Sequence, residues 1–480
     1  MNKTKIAVAV ALSGLISTNL MATNGYFSHG YGAKEKGMAG AGVAKGGNSI
    51  STANNPANLL QVGDRMDIGI SLFNPNRSYK ATGEPSIPAG TTPIINFGAG
   101  GIPGCAAPAA TATCQVPFST GPQKIDSDSN WFAIPSFGFS SKIDDKSAWG
   151  LALYGNGGMN SDYSGGAATH LSLEQDATFN SMVSTPGTFG AGDTGVDLSQ
   201  LFINISYAYQ ASENLDLGAS IIYAVQAFEA KGLAPFANNS VNPEKLTNNG
   251  HDISTGFGFK FGANFKLSEF VTLGASYQTK MSMSEFDDYS GLFAEGGDFD
   301  IPSTYTVGIS WKTSESTFLL LDYQTINYTD VAAISNGISS LLSPATCLDG
   351  LNGFLTTGMP GPATGNGCLG ASQGAGFGWD NVSAIKIGYE WSMGNDTFRV
   401  GYSTSDQPIG KDEVNFNLLA PGVVEDHFTF GYTSNNGENE WTIFLMYAPE
   451  VEVTGTSQFD SSQTISFKMD QLEIGIDYQF

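Results

Sequence analysis

The connections between the predicted strands alternate between short and long along this chain of 480 residues. Period-two alternation of apolar and polar side chains dominates after residue 64 and predicts about fourteen strands. Between Val271 and Tyr277, for example, Val, Leu, Ala and Tyr share one face, while Thr, Gly and Ser share the other. The strands are predicted near residues 64–76, 130–140, 147–156, 200–210, 215–227, 256–267, 271–282, 304–312, 317–328, 382–391, 397–405, 427–434, 440–448 and 468–480.

Connection length sorts the loops into two classes. Short, polar connections lie near residues 141–146, 211–214, 268–270, 313–316, 392–396 and 435–439. Much longer ones lie near 77–129, 157–199, 228–255, 283–303, 329–381, 406–426 and 449–467. A bacterial outer-membrane barrel has short periplasmic turns and long extracellular loops, whereas a secreted soluble β-sandwich or β-helix, the alternative, has no reason to sort its loops. The sequence therefore predicts an all-β fold, a fourteen-stranded antiparallel transmembrane β-barrel over residues 64–480.

Composition excludes other classes of protein. A net charge of −24, from 45 acidic and 21 basic residues, argues against a nucleic-acid-binding protein, because phosphate contacts need a basic surface. No apolar run reaches the ~18 residues of a membrane-spanning helix, and the mean hydropathy of −0.08 suits a barrel, in which only alternate residues meet lipid. Glycine recurs at predicted inward positions, which suits a crowded lumen; these are Gly218, Gly262, Gly274, Gly308, Gly388, Gly401 and Gly475.

The first 22 residues have the layout of a secretory signal peptide. Lys3 and Lys5 precede a mostly apolar run from Ile6 to Ile16, and Ala22 offers a small residue for cleavage. A buried N-terminal strand or helix is the alternative. An exported chain with a barrel pattern is expected in the outer membrane of a Gram-negative cell.

The four cysteines fall into two close pairs. Cys105 lies near Cys114, and Cys347 lies near Cys368, without the spacing of a zinc site. Two local disulfides fit an oxidising compartment, and each would stabilise the fold by roughly 3 kcal/mol in the chain-entropy model. Free thiols are the alternative.

The segment after the signal peptide carries a family resemblance. Gly25-Tyr26-Phe27 leads through a Gly/Ala-rich stretch at 37–44 to the motif Asn55, Pro56, Ala57. This resembles the N-terminal hatch of the outer-membrane transporters of long-chain fatty acids and aromatic hydrocarbons, which precedes a fourteen-stranded barrel. The resemblance implies a hatch at residues 23–63 inside the lumen. Small residues suit backbone that passes close to inward side chains, and a disordered linker is the alternative.

The resemblance also implies a passive, ligand-gated transporter with a lateral exit at a kink in the third strand. Alternation in that predicted strand stops at a glycine-rich stretch, which predicts a kink or bulge; its residues are Gly155, Asn156, Gly157 and Gly158. The family expectation places Asn55-Pro56-Ala57 against this kink. The alternative is that the glycines begin the following loop.

Two sets of residues are candidates for ligand binding. Apolar residues in two long loops predict an outer groove, unless the loops only pack against each other; they are Leu233, Pro235, Phe236, Leu292 and Phe293. Strand parity predicts inward side chains that include four apolar and four basic residues, namely Phe228, Leu320, Phe444, Met446, Lys260, Lys280, Lys386 and Arg399. The basic residues suit a carboxylate ligand, although inward Glu390, Glu473 and Asp477 are alternative partners for them.

The sequence predicts no enzyme, no cofactor and no metal site. Gly370-Ala-Ser372-Gln-Gly374 matches the nucleophile-elbow pattern, but it lacks the strand and helix that such an elbow needs. The expected partners are a hydrophobic small molecule, outer-membrane lipid and lipopolysaccharide, and the expected state is a monomer. Two other functions stay open: a polar-solute porin narrowed by its hatch, and an outer-membrane barrel enzyme acting on lipid.

Overall fold

The computed structural model describes residues 24–91, 118–172, 181–349, 361–437 and 439–480. The predicted signal peptide at 1–22 and the predicted pair Cys105 and Cys114 lie outside these residues. In the described part of the chain, no helix has both the length and the hydropathy needed to cross a membrane.

All fourteen predicted strands are present, which confirms the predicted barrel. We label them β1 to β14. They are Arg65–Thr82, Phe132–Lys142, Ser147–Tyr163, Thr194–Ser212, Leu215–Lys231, Asp252–Lys266, Val271–Gln278, Thr304–Ser314, Thr317–Ile326, Val382–Met393, Asp396–Ser405, Asp426–Asn435, Glu440–Thr456 and Thr464–Gln479.

Each strand pairs antiparallel with its neighbours in the chain, and β14 pairs with β1 to close the barrel. Alternation fixes the register, because a slip of one residue would turn every apolar side chain inward. In β1, Ile68, Ile70 and Leu72 are about half exposed on the outer surface, while Asp67 and Ser71 are buried inside. The apolar band that the other strands continue around the barrel is the surface that lipid covers.

Residues 24–63, which we call the hatch, lie inside the barrel. Their regular elements are short: Ala33–Lys36 and Leu59–Val62 are α-helical, and Ser49–Ala53 and Pro56–Asn58 are 3₁₀-helical. Inward glycines are the points of closest approach between wall and hatch. A Cβ on Gly274 would lie 2.6 Å from the Ala44 Cα, and one on Gly388 would lie 2.8 Å from the Met38 Cβ. The glycines on the inward face therefore make room for the hatch backbone.

Ion pairs fasten the hatch to the wall. Three hatch lysines reach inward carboxylates, with N–O distances of 2.6 Å for Lys34–Glu440, 2.5 Å for Lys36–Glu473 and 2.9 Å for Lys45–Glu390. Backbone N–H groups of Gly42 and Val43 also donate to Asp322, at 2.7 and 2.9 Å. Removing one partner of such a buried pair costs about 3–5 kcal/mol, so the hatch is a strongly held part of the fold.

The long loops pack into one continuous hydrophobic cluster at one end of the barrel. They contain a three-stranded sheet of Ser119–Thr120, Ala167–Ser172 and Ser181–Pro186, and two short strands, Gln123–Asp126 and Ser282–Met283, which pair with β1 and β6. Their short helices are Ala234–Asn239, Pro243–Lys245, Asp287–Tyr289, Ala294–Gly297, Tyr328–Asp330, Ala332–Ser335, Ser339–Leu342 and Val414–Asn417. A disulfide joins Cys347 to Cys368, as predicted.

Candidate ligand-conducting site

An apolar cavity lies under the outer loops, and we call it the capture cavity. Loops β5–β6, β7–β8, β9–β10 and β11–β12 all contribute to it. The lining residues are Val196, Phe228, Leu233, Phe236, Leu246, Leu292, Phe293, Ala333, Leu369, Ala375, Gly376, Phe377, Phe416 and Leu419. Apolar side chains and one glycine form this lining, and such linings are typical of small-molecule sites.

The structure brings the predicted groove residues together with one predicted lumen residue. Leu233, Phe236, Leu292 and Phe293 all line the capture cavity, and the Phe228 ring lies 4.7 Å from the Phe293 ring. Pro235 is half buried and does not line it. Instead, it lies in the first turn of the 3₁₀-helix Ala234–Asn239, where its fixed φ is favourable.

Sequence reasoning missed the lining residues from loops β9–β10 and β11–β12. Leu369, Phe377, Phe416 and Leu419 are apolar residues in loops without period-two alternation. Their apolar character in long outer loops is the same signal that picked out Leu233 and Leu292. Glycine-rich sequence between Gly367 and Gly378 surrounds Leu369 and Phe377, and this obscured their apolar character.

No ionisable side chain lines the capture cavity among the residues that the structure describes. Its lining residues have acidic neighbours in the chain, such as Asp197 and Glu229. The nearby Lys245 is paired with Asp288, with Nζ and Oδ1 2.5 Å apart. An anionic ligand would therefore find no unpaired cation among these neighbours, whereas an apolar ligand would be matched on all sides.

Three of the predicted basic residues are buried inside the barrel and are already bound. Lys386 Nζ donates to the His29 carbonyl at 2.8 Å, and Lys260 Nζ donates to the Ala53 carbonyl. Arg399 Nε donates to Glu390 at 2.7 Å, the ion pair that the sequence offered as an alternative.

The inward position predicted for Lys280 is wrong. Strand β7 ends at Gln278, so Lys280 belongs to the loop, is exposed, and pairs with Asp300 at 2.9 Å. Strand parity no longer applies once the chain leaves the wall.

A second, polar cavity lies between the hatch and strands β6 to β10. Lys260, Lys386 and Asp322 line it, together with Gln278. Asp322 Oδ1 and Gln278 Nε2 are buried without a protein hydrogen-bond partner. Buried polar groups of this kind are normally satisfied by water. This cavity has no lining residue in common with the capture cavity in the described chain.

The other predicted apolar lumen residues are covered by protein. Leu320 packs against Met38 and Ala41 of the hatch. Met446 is fully buried in the main hydrophobic cluster. Phe444 lies under the ammonium group of Lys36, with 5.4 Å from Nζ to the ring centroid. With the hatch in place, none of these three lines the capture cavity.

A β-bulge interrupts strand β3 within the predicted glycine-rich stretch. Gly155 pairs with Leu201 of β4, but Gly157 pairs with Gln200, so Asn156 is the extra residue. The Asn156 side chain is held on both sides: its Oδ1 accepts from the Tyr31 hydroxyl at 2.7 Å, and its Nδ2 donates to Gln200 at 2.9 Å. The glycines belong to β3 and do not begin the following loop.

Beside this bulge, β2 and β3 separate and leave a gap in the barrel wall. Their pairing runs from Lys142↔Ala148 to Phe137↔Leu153 and then stops. The chain before β2 contacts β3 again near the end of that strand, where the Asp128 N–H donates to the Asp162 carbonyl at 2.8 Å. A small cavity lies at the gap, lined in part by Ile134, Pro135, Tyr154, Gly155 and the predicted lumen residue Phe444.

Pro135 is a residue that sequence reasoning missed. It sits inside β2, opposite Ile70 of β1, although proline has no N–H and is confined to strand edges, first positions and bulges. A proline within a predicted strand was therefore a signal that one side of that strand lacks a full ladder.

The hatch occupies the edge that β2 leaves free on β3. Phe27 pairs with Gly157, the Ser28 N–H donates to the Asn156 carbonyl at 2.8 Å, and the Gly158 N–H donates to the Tyr26 carbonyl at 3.0 Å. Backbone pairing thus places residues 26–28 at the gap.

The expectation that Asn55-Pro56-Ala57 lies against the kink is wrong. These residues lie against β5 and β6 instead. Gly218 and Gly262 leave space for them there, which a Cβ at either position would fill. The motif forms a capped 3₁₀ turn, in which the Asn55 side chain accepts the Ala57 N–H at 3.0 Å and Pro56 begins the turn.

An aromatic cluster lies between the capture cavity and the hatch segment at the gap. The Tyr26 ring is 5.2 Å from the Tyr328 ring and 6.1 Å from the Trp379 ring, and Trp379 is 6.1 Å from Phe377 of the cavity wall. The Tyr328 hydroxyl accepts from the Tyr26 N–H at 3.0 Å and donates to the Asn24 carbonyl. Cavity wall, aromatic cluster and gap form one contiguous set of contacts.

A lipid-facing barrel, a plug fastened inside it and an apolar cavity under its outer loops define an outer-membrane channel for hydrophobic molecules. The sequence matches the family described as "Outer membrane protein transport protein (OMPP1/FadL/TodX)" over residues 15–329. The chain therefore belongs to this family of outer-membrane transport proteins, as its hatch sequence predicted. No curated protein matches the chain in sequence.

Solved structures of low sequence identity share the fold. The toluene transporter TodX of P. putida superposes with a TM-score of 0.59 at 16% identity, covering 94% of this chain and 98% of its own. A FadL homologue of Pseudomonas aeruginosa gives 0.59 at 13% identity, with 96% and 99% covered. The toluene transporter TbuX of Ralstonia pickettii gives 0.52 at 16% identity, with 94% and 98% covered.

Proposed function

We propose that this protein conducts uncharged hydrophobic molecules passively across the outer membrane, from the capture cavity to a lateral exit between β2 and β3. The capture cavity, which has no ionisable side chain among its described lining residues, carries the proposal. TodX and TbuX, which are described as toluene transporters, support it by likeness of fold.

The capture step follows from burial of apolar surface. Moving an apolar molecule out of water gains about 25 cal/mol per Å² of surface buried, and aromatic rings supply much of the lining. A carboxylate would lose its hydration in this cavity without gaining a cation, because the internal lysines are bound to the hatch and wall. A fatty acid in its ionised form is therefore a poorer ligand than a hydrocarbon.

The axial route to the periplasm is closed to such a ligand. Below the aromatic cluster lies the polar cavity with Lys260, Lys386 and Asp322, and the hatch fills the space around it. An apolar molecule would have to strip water from these charged groups to pass. The gap at Pro135 and Gly155 offers a path toward the hydrocarbon of the membrane.

Conduction of this kind needs no catalytic step. Measurements of ligand uptake test it. Cells that lack other hydrocarbon channels are supplied with radiolabelled toluene or oleate, with and without this protein. Toluene uptake is expected to accelerate several-fold, and oleate uptake at neutral pH to change little. Equal acceleration of oleate would contradict an uncharged ligand, and steady large ionic currents through the purified protein in planar bilayers would favour a porin.

A further inference from the structure

The disulfide lies at a junction between two outer loops. Cys347 and Cys368 are both buried, and their Cα atoms are 4.8 Å apart within loop β9–β10. The Cys347 Sγ lies 4.0 Å from the carbonyl oxygen of Asn239. Asn239 ends the 3₁₀-helix of loop β5–β6 that carries Phe236 into the capture cavity. The disulfide therefore contacts the loop that supplies another part of the cavity wall.

Leu369 follows Cys368 directly and lines the capture cavity. Its N–H donates to the Asn239 carbonyl at 3.0 Å, and its carbonyl accepts from the Val241 N–H at 3.0 Å. These two bonds form an isolated bridge rather than part of a longer ladder. The disulfide at the preceding residue is a covalent constraint on the same stretch of backbone.

Residues 369–377, which we call the wall segment, contribute four lining residues and have no helix or strand. The carbonyls of Gly370 and Ala371 accept from the N–H groups of Gly296 and Glu295, both at 3.0 Å. Farther along, the Asn336 side chain donates to the Gly374 carbonyl at 2.9 Å. A segment without continuous β-pairing is held by separate hydrogen bonds, and loss of one of them allows the neighbouring residues to move.

We infer that the Cys347–Cys368 disulfide is a positioning element for ligand capture, because it holds Leu369 in the wall of the cavity. Its main effect is then on ligand affinity, and the barrel strands do not depend on it. The inference rests on the proposed function, since it assigns the capture cavity to a hydrophobic ligand.

The test uses the full-length protein and toluene as the probe, with binding measured by equilibrium dialysis in a lipid-free amphipathic polymer. The variant Cys347→Ala/Cys368→Ala is expected to bind toluene at least about fivefold more weakly. Its barrel should keep the heat-dependent electrophoretic mobility of the wild type. Leu369→Ala should weaken binding by a similar factor with the bridge intact, and the conservative Leu369→Met should not.

The triple variant decides whether the bridge acts through Leu369. Two residues that act through one contact give non-additive losses, so combining Leu369→Ala with the cysteine changes should weaken binding little further. Fully additive losses, or wild-type affinity after removal of the disulfide, would overturn the inference. Failure of the wild-type protein to bind toluene would overturn the proposed function itself, and the positioning role with it.

Discussion

Phe137 of β2 and Leu153 of β3 form the last cross-strand pair before the two strands separate. Beyond this pair, β3 keeps its ladder with β4 through the bulge at Asn156. Its other edge turns to Phe27 of the hatch. One pair of residues thus marks where a continuous barrel wall becomes a wall with a gap that hatch backbone lines.

A charge placed in the capture cavity should strongly weaken ligand binding. Leu292→Asp would put a carboxylate against apolar lining, and burial of an unpaired charge is costly. We expect at least a tenfold loss of toluene affinity in equilibrium dialysis. Pro235→Asp is the matched control, because Pro235 is half buried in an outer loop but does not line the cavity. Equal losses in both variants would show that loop charge, rather than the cavity, controls binding.

Fastening of the hatch should depend on buried ion pairs. Glu473→Gln leaves the Lys36 ammonium buried without its carboxylate, so we expect a loss of about 3–5 kcal/mol in the free energy of unfolding, measured in urea. Glu450→Gln is the control, because the Glu450–Lys468 pair is solvent-exposed and should contribute no more than about 1 kcal/mol. If Glu473→Gln lowers the free energy of unfolding as little as the control does, the ion pairs of the hatch contribute little to stability.

The contact between the Asn-Pro-Ala turn and the barrel wall should not tolerate a side chain at Gly262. Gly262→Val would drive a Cβ into the Asn55 side chain, so we expect the hatch to shift and ionic conductance in planar bilayers to rise several-fold. Gly361→Val should leave conductance unchanged, since a Cβ on Gly361 meets no atom of the described residues within 4 Å. Unchanged conductance for Gly262→Val would argue against this contact as a seal.

The outer loop that surrounds Glu413 should become less stable as the pH rises. Burial raises the pKa of Glu413 to about 7, helped by the neighbouring charge of Asp412 and opposed by the Ile338 N–H, which donates to Glu413 at 2.9 Å. The pKa of an unfolded glutamate is about 4.3, so the folded state binds the proton more tightly. The stabilisation is complete below that pH and is lost as the pH rises through about 7.

Hydrogen exchange measures this effect. Residues 332–342, after correction for the intrinsic rate, should be less protected at pH 8 than at pH 5, and Glu413→Gln should remove the difference. The same pH dependence in the variant would assign the effect to another group.

The barrel could be predicted from the sequence because lipid and lumen enforce alternation on every strand. Strand bounds were less accurate at the outer ends: β3 continues to Tyr163 and β13 to Thr456, beyond the predicted 156 and 448. Those parts pack against loops, where side-chain alternation is no longer imposed by lipid.

The candidate site was harder to predict, because distant parts of the chain build it. Leu233 and Phe293 were identified by their apolar character in polar loops, but their partners Phe377 and Leu419 come from other loops. The seat of Asn55 depends on Gly262, about two hundred residues away in the chain, and no local pattern encodes that contact. Lys280 shows the opposite error, in which a strand pattern was extended past the end of the strand.

The lateral exit is the central claim, and a cross-link across the gap tests it most directly. The variant Pro135→Cys/Gly155→Cys, with Cys105 and Cys114 changed to serine, is treated with a bismaleimide to join β2 and β3 at the gap. The control pair Phe139→Cys/Leu151→Cys lies where the strands are already paired. We predict that cross-linking stops toluene uptake in the first variant and leaves it unchanged in the control, and undiminished uptake through a cross-linked gap would contradict the lateral exit.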